Sequence, residues 1–160
     1  MFWCLVMLGN ADIVKVLLAA NASTEVHNED DLTPLVMAVL IGHNDIMKML
    51  INSGANVDGL TAHSYSALHH AAWSGNIEAV QMLLDNSAHD DDHTDDGNTP
   101  LALAAHGGYD YVLELFIHRG CCVNNSDKSV LVICYIYAGH PSCYPTNSIT
   151  ALKALEHETK

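Results

Sequence analysis

The sequence predicts an all-α fold, a solenoid of stacked helix-turn-helix units joined by hairpin-like turns. Three observations predict it. A glycine recurs every 33 residues, at Gly9, Gly42, Gly75 and Gly108. A capping triplet travels with it: Thr33-Pro34-Leu35, Ser66-Ala67-Leu68 and Thr99-Pro100-Leu101. Ala38, Ala71 and Ala104 keep the same step. Several independent positions sharing one period of about 20–50 residues mark a repeat protein.

Taken in chain order, the first unit, residues 1–26, is partial. Met1 falls on the slot that follows the capping Thr, so the opening turn is missing. Phe2, Trp3, Leu5 and Val6 make this end apolar, whereas a terminal repeat needs a polar outer face. Either the chain is a piece of a longer array or something covers this end; the first is our expectation.

The second unit, 27–59, is complete. Thr33 suits an N-cap, because its hydroxyl accepts an orphan backbone N–H. Pro34 follows at the first helical position, where its missing N–H costs nothing. The helix ends near Gly42, which tolerates the left-handed conformation that reverses the chain. Ile46, Met49 and Leu50 give the second helix its apolar face. The third unit, 60–92, is looser: Ala67 stands in the Pro slot, Ser87 in a Gly slot, and no Gly precedes Ser66. Its second helix carries Val80, Leu83 and Leu84. The fourth, 93–125, is again complete, with Val112, Leu115 and Phe116. The small Ala38, Ala71 and Ala104 let neighbouring helices approach, so a larger side chain there overpacks the stack by roughly 1–3 kcal/mol. Asn56 to Ser64 and Asp90 to Asn98 read as exposed turns. Residues 128–160 read as a decayed repeat acting as a cap, with Pro141 and Pro145 interrupting regular helix. Ile149, Leu152 and Leu155 suit a short last helix, and the end frays after Leu155.

Over roughly residues 1–127 the chain resembles the ankyrin repeat family. That family's period is 33, and its signature is T-P-L-H-x-A. Thr33-Pro34-Leu35-Val36-Met37-Ala38, Ser66-Ala67-Leu68-His69-His70-Ala71 and Thr99-Pro100-Leu101-Ala102-Leu103-Ala104 carry it here. The second half of the pattern is present in Gly42-His43-Asn44-Asp45-Ile46 and Gly54-Ala55-Asn56-Val57, and in Gly75-Asn76-Ile77-Glu78-Ala79-Val80. More narrowly, Glu25-Val26-His27-Asn28-Glu29 and His93-Thr94-Asp95-Asp96-Gly97-Asn98 look like turns of large multiple-ankyrin-repeat scaffolds that also carry a KH domain. No two glycines here lie three apart, so the GXXG loop of a KH domain cannot form. The RNA function of that domain does not carry over.

Composition narrows the function. Hydrophobic residues make up 49% of the 160, enough for a continuous core in one elongated domain. The net charge of −13 comes from 19 acidic against 6 basic residues. It disfavours nucleic acid and anionic membranes and favours basic partners. No apolar run is long enough to span a bilayer. The apolar start lacks a basic n-region, so it is not read as a signal peptide. Five cysteines without a paired framework suit reduced thiols in an intracellular protein, cytoplasmic or nuclear.

Chemistry-bearing clusters are sparse. Counted as a calcium loop from Asp92, the acidic run places Gly97 correctly, but Leu103 falls where a bidentate Glu is required. We read it as a solvated hairpin. Cys121, Cys122, Cys134, His140 and Cys143 lack zinc-pair spacing. His69 and His70 with Asp85 have no nucleophile or oxyanion site beside them. No metal or cofactor is expected, and the chain reads as non-enzymatic.

The resemblance implies a concave binding face made of turn tips and exposed first-helix positions. The tips are Glu29 and Asp30 with Leu32, Ala62 and His63 with Tyr65, and Asp95 and Asp96 with Asn98. The helix-end slots before each Gly are Leu40 and Ile41, Trp73 and Ser74, then His106 and Gly107. Apolar Leu40 and Ile41 and aromatic Trp73 are unusual in such slots. Aromatic residues are enriched at binding hot spots, and exposed apolar groups mark interaction surfaces. The expected site is therefore a centre of Leu40, Ile41, Tyr65 and Trp73 rimmed by Glu29, Asp30, His63, Asp95, Asp96 and His106. It suits a protein or peptide with an apolar anchor and basic flanks. The alternatives are a targeting adaptor, such as a ubiquitin-ligase substrate receptor, and a structural spacer of a longer scaffold.

Overall fold

The computed structural model describes residues 2–121. Helices pair within each repeat: α1 (Phe2–Met7) with α2 (Ala11–Ala19), α3 (Pro34–Ile41) with α4 (Asn44–Asn52), α5 (Ala67–Ser74) with α6 (Ile77–Asp85), and α7 (Pro100–Gly107) with α8 (Asp110–His118). The first helices stack in the order α1, α3, α5, α7, and the second helices stack behind them as α2, α4, α6, α8. The described span is thus an all-α repeat solenoid, without a β-strand among the described residues.

The caps explain why each first helix starts and stops where it does. Thr33, Ser66 and Thr99 are extended, and their hydroxyls accept the N–H of Val36, His69 and Ala102 at 3.3, 3.4 and 3.2 Å. Gly42, Gly75 and Gly108 end the same helices in the left-handed conformation. At Gly75 two demands coincide. Its φ is +68°, and an added Cβ would meet the Tyr109 ring at 2.5 Å. Tyr109 of the next unit therefore packs where only hydrogen fits.

Tyr109 also shows how one slot serves two purposes. In that slot Asn10 and Asn76 cap α2 and α6, accepting from Ile13 and Ala79 N–H at 3.2 and 3.0 Å. His43 and Tyr109 give no side-chain cap, and their rings cover the glycine of the preceding unit instead.

The core runs continuously along the stack. Leu35 and Leu68 on the first layer and Leu50, Leu83 and Phe116 on the second are fully buried. Ala38, Ala71 and Ala104 are buried between them, as their size predicts.

Two expectations need correction. The turns are not wholly solvated, because Thr61 and Thr94 are buried. Thr61 donates its hydroxyl to Tyr65 O at 3.0 Å, and Thr94 Oγ1 accepts Asn98 N–H at 3.2 Å. Their bonds are internal to the hairpin, which is why polar residues are tolerated inside. At the first unit, Val6 is fully buried and Phe2 and Leu5 pack against the core. The exposed apolar residues there are instead Met7, Leu8, Ile13 and Val16. The expected cap at 128–160 lies outside the described residues, as do Cys122, Cys134, His140 and Cys143 of the weighed zinc set.

Candidate functional site

Each tip is a tight hairpin set one residue ahead of a capping Thr or Ser. Backbone N–H groups of Asn28, Thr61 and Thr94 donate to Leu32, Tyr65 and Asn98 carbonyls at 3.1, 2.8 and 3.0 Å. The slots Asp31, Ser64 and Gly97 are left-handed in all three. The closed hairpin leaves Glu29, Asp30, His63, Asp95 and Asp96 exposed.

Adjacent tips are tied together. Ser64 Oγ donates to Asp95 Oδ1 at 2.6 Å, and Asp95 N–H donates to His63 O at 3.2 Å. His63 Nδ1 lies 3.8 Å from the other Asp95 oxygen. Two of the expected rim residues, His63 and Asp95, therefore first serve each other's hairpins. Glu29, Asp30 and Asp96 have no such tie to a neighbouring tip among the described residues.

His69 locks the third unit to the fourth. It is fully buried. Its Nδ1 accepts Ser66 N–H at 3.2 Å, which completes a reciprocal cap with the Ser66 hydroxyl. That leaves Nε2 to donate to the Asp92 and Asn98 carbonyls, both at 3.2 Å. Burial lowers its pKa, against the opposing pull of those carbonyls. Beside it, burial and then the His69 charge push His70 down to about 4. His70 Nε2 is buried without a partner among the described residues. The weighed acid–base reading of His69 and His70 with Asp85 fails on geometry: His69 is spent on backbone groups, and Asp85 pairs with Arg119. Cys121 is no more reactive, because burial and the adjacent Asp90 carboxylate push its thiol up to about 12.

The helix-end slots form a separate surface. Leu40, Trp73 and His106 occupy one repeat slot on successive packed helices. All three are exposed, Trp73 by 51%. The Trp73 and His106 rings stack, with centroids 5.9 Å apart and planes 12° from parallel. Trp73 thus packs on its neighbour and still offers an open face. Ile41 is exposed beside Leu40. The same spacing counted backwards reaches Met7 and Leu8, which are exposed as well. Sequence reasoning missed these two, although the 33-residue step from Leu40 and Ile41 points to them.

Tyr65 does not join that surface. It precedes the N-cap of α5, whereas Trp73 lies at the far end of this eight-residue helix. At 1.5 Å per residue the two are about 12 Å apart along the axis. Tyr65 is half-buried, its ring tilted on His70 with centroids 5.4 Å apart. The expected centre therefore divides into an apolar ledge at the helix ends and an acidic ridge at the tips, set at opposite ends of the first helices.

Comparison with known families decides what kind of solenoid this is. A family model described as ankyrin repeats, in three copies, matches residues 2–95, and a single ankyrin repeat matches residues 96–128. The chain belongs to the ankyrin repeat family. A search of curated proteins finds no match. Ankyrin repeats are generally protein–protein interaction modules and are typically non-catalytic. The matches are to ankyrin repeats as such and do not reach the narrower scaffold resemblance. No described helix is long and apolar enough to cross a membrane.

Proposed function

We propose that this ankyrin stack is a non-catalytic interaction module whose ledge of Leu40, Ile41, Trp73 and His106, extended by Met7 and Leu8, holds the apolar anchor of a protein or peptide partner. The observation that carries the reading is the exposed Trp73, held flat by His106 within a row of exposed apolar slots. A stacked aromatic loses little further side-chain entropy on binding, which favours affinity. Basic flanks on the partner would meet Glu29, Asp30 and Asp96, with Asp95 and His63 keeping the tips in register. Steering by the net charge of −13 adds to the on-rate at low salt.

The test compares affinity capture by the natural chain with capture by a Trp73→Glu, Leu40→Glu variant of equal helicity. Both side chains are exposed, so the fold is expected to survive. A partner retained by the natural chain and lost by the variant supports the ledge. Identical capture would move the site elsewhere, and no partner for either would favour a spacer.

A further inference from the structure

The ledge does not stop at the ends of the first helices. Each short loop sets the start of a second helix beside it, and Ile77, Tyr109 and Tyr111 are exposed there, Tyr111 by 73%. With Leu40, Ile41 and Trp73 they make an apolar and aromatic band along the loop end of the stack. The repeat itself keeps this band open. Positions 41, 74 and 107 are exposed in successive units, and so are 45, 78 and 111. The units of α3–α4 and α5–α6 show this exposure with a described neighbour on both sides.

A row of carboxylates accompanies the band. Asp45, Glu78 and Asp110 stand exposed in the first turns of α4, α6 and α8. Acidic residues there favour the helix through its dipole. Their charge is still open to a partner, because among the described residues no cation pairs with any of the three. Glu78 is held in place by the Asn44 amide of the preceding unit, whose oxygen accepts from Asn76 Nδ2 at 3.1 Å.

We propose that the loop end takes a basic amphipathic helix of the partner, laid across the repeats. Its apolar stripe covers the band, and its lysines and arginines face Asp45, Glu78 and Asp110. This rests on the ledge reading and adds what the anchor is and how it lies. Spacing selects a helix. Packed helices lie about 8–10 Å apart, which is close to two α-helical turns, or roughly seven residues. An α-helix therefore returns the same face to each unit. An extended strand covers that distance in about three residues and turns its side chain to the opposite face. Charge selects the partner. At a net charge of −13, a second copy, an RNA or an anionic bilayer is repelled from this edge. The tips lie at the other end of the first helices, so they meet cations outside this helix.

Fluorescence anisotropy of a labelled synthetic peptide with the full 160-residue chain tests it. The peptide is an Ala-based run of three heptads, with Leu at the first and fourth positions of each and Lys at the fifth and seventh. Binding with a gain in peptide helicity is expected. Asp45→Asn, Glu78→Gln and Asp110→Asn together should weaken it about fivefold or more, at a modest contribution per exposed pair. Glu25→Gln, Asp31→Asn and Asp91→Asn remove the same charge from exposed positions in the turns between units. They should weaken it less than about twofold, since only long-range attraction is lost. Circular dichroism checks that both variants are folded. With the natural chain, the peptide carrying Glu for Lys should not bind, so the charge test does not depend on any variant. Trp73→Glu with Leu40→Glu should abolish binding. Binding that survives that change would overturn the ledge and this proposal together. Loss there with equal effects from the two carboxylate sets would leave the ledge standing and overturn the helix docking. So would a proline-interrupted peptide that binds equally well, or no binding of the helical one.

Discussion

At the scale of the residue, the left-handed slots decide where stability is left unclaimed. The slot after each second helix is held by Asn21, Gly54, Ser87 and Gly120, all with positive φ. A Cβ in that conformation costs an L-residue roughly 1–2 kcal/mol. Ser87 carries that cost with φ at +62°, is exposed, and its hydroxyl makes no hydrogen bond among the described residues. Ser87→Gly removes the strain but adds freedom to the unfolded chain. The net expected gain is about 0.5–1 kcal/mol, raising Tm by roughly 2–5 °C in thermal unfolding. Ser64 supplies the control. It is equally left-handed, but its hydroxyl binds Asp95 at 2.6 Å. Ser64→Gly should therefore gain little or nothing, and an equal gain at both sites would show that the tip bond is worthless. The sequence alone identifies Ser87 as a departure from the Gly pattern, because the period fixes the slot. The same period places Met7 and Leu8 in the slots of Leu40 and Ile41, but their exposure follows only from the packing of α1.

At the scale of the element, α5 concentrates polar groups that the neighbouring helices do without. Its slots hold His69 and His70 where α3 has Val36 and Met37, and α7 has Ala102 and Leu103. His69 is fully bonded, to Ser66 on one side and to the Asp92 and Asn98 carbonyls on the other. His70 is not, because its Nε2 is buried without a partner among the described residues. Burial lowers both pKa values, His70 from 6.5 to about 4. Below 6.5 the unfolded chain therefore binds protons that the folded one refuses. The stability contributed by neutral imidazoles is fully present above 6.5 and is lost as pH falls towards 4. His70→Leu copies the apolar residue of α7 and removes one such group. The expected outcome is a variant at least as stable as the natural chain at neutral pH, with a shallower fall in Tm between pH 7 and about 4.5. Parallel curves would show that His70 titrates normally. The difference between variants is the measure here, since carboxylate protonation alters repulsion in both alike. The tandem histidines are plain in the sequence, but their roles are not. Only the tertiary contact with the next tip separates a bonded His69 from an unbonded His70. Thr61 and Thr94 mislead for a related reason: residue type announces polarity, whereas burial follows from bonds closed within the turn.

At the scale of the whole molecule, stability in a stack is a sum over units and the interfaces between neighbours. The period made the number and order of units legible in the sequence, because every slot serves local caps and nearest-neighbour packing. What it could not give is the relation between surfaces: Tyr65 and Trp73 share a unit yet face opposite ends of α5. The same additive logic predicts a gradient of local opening. The units built on α3–α4 and α5–α6 have a described neighbour on both sides and hold the largest share of fully buried side chains. The unit of α1 and α2 has one described neighbour, and only Val6 and Val14 within its two helices are fully buried. Opening it exposes little apolar area and breaks one interface rather than two, so it should open without the rest. Amide exchange should find α1 and α2 least protected and α4 to α6 most. Equal protection across α2 and α5 would mean that the stack opens as one cooperative body and that its interfaces outweigh its units.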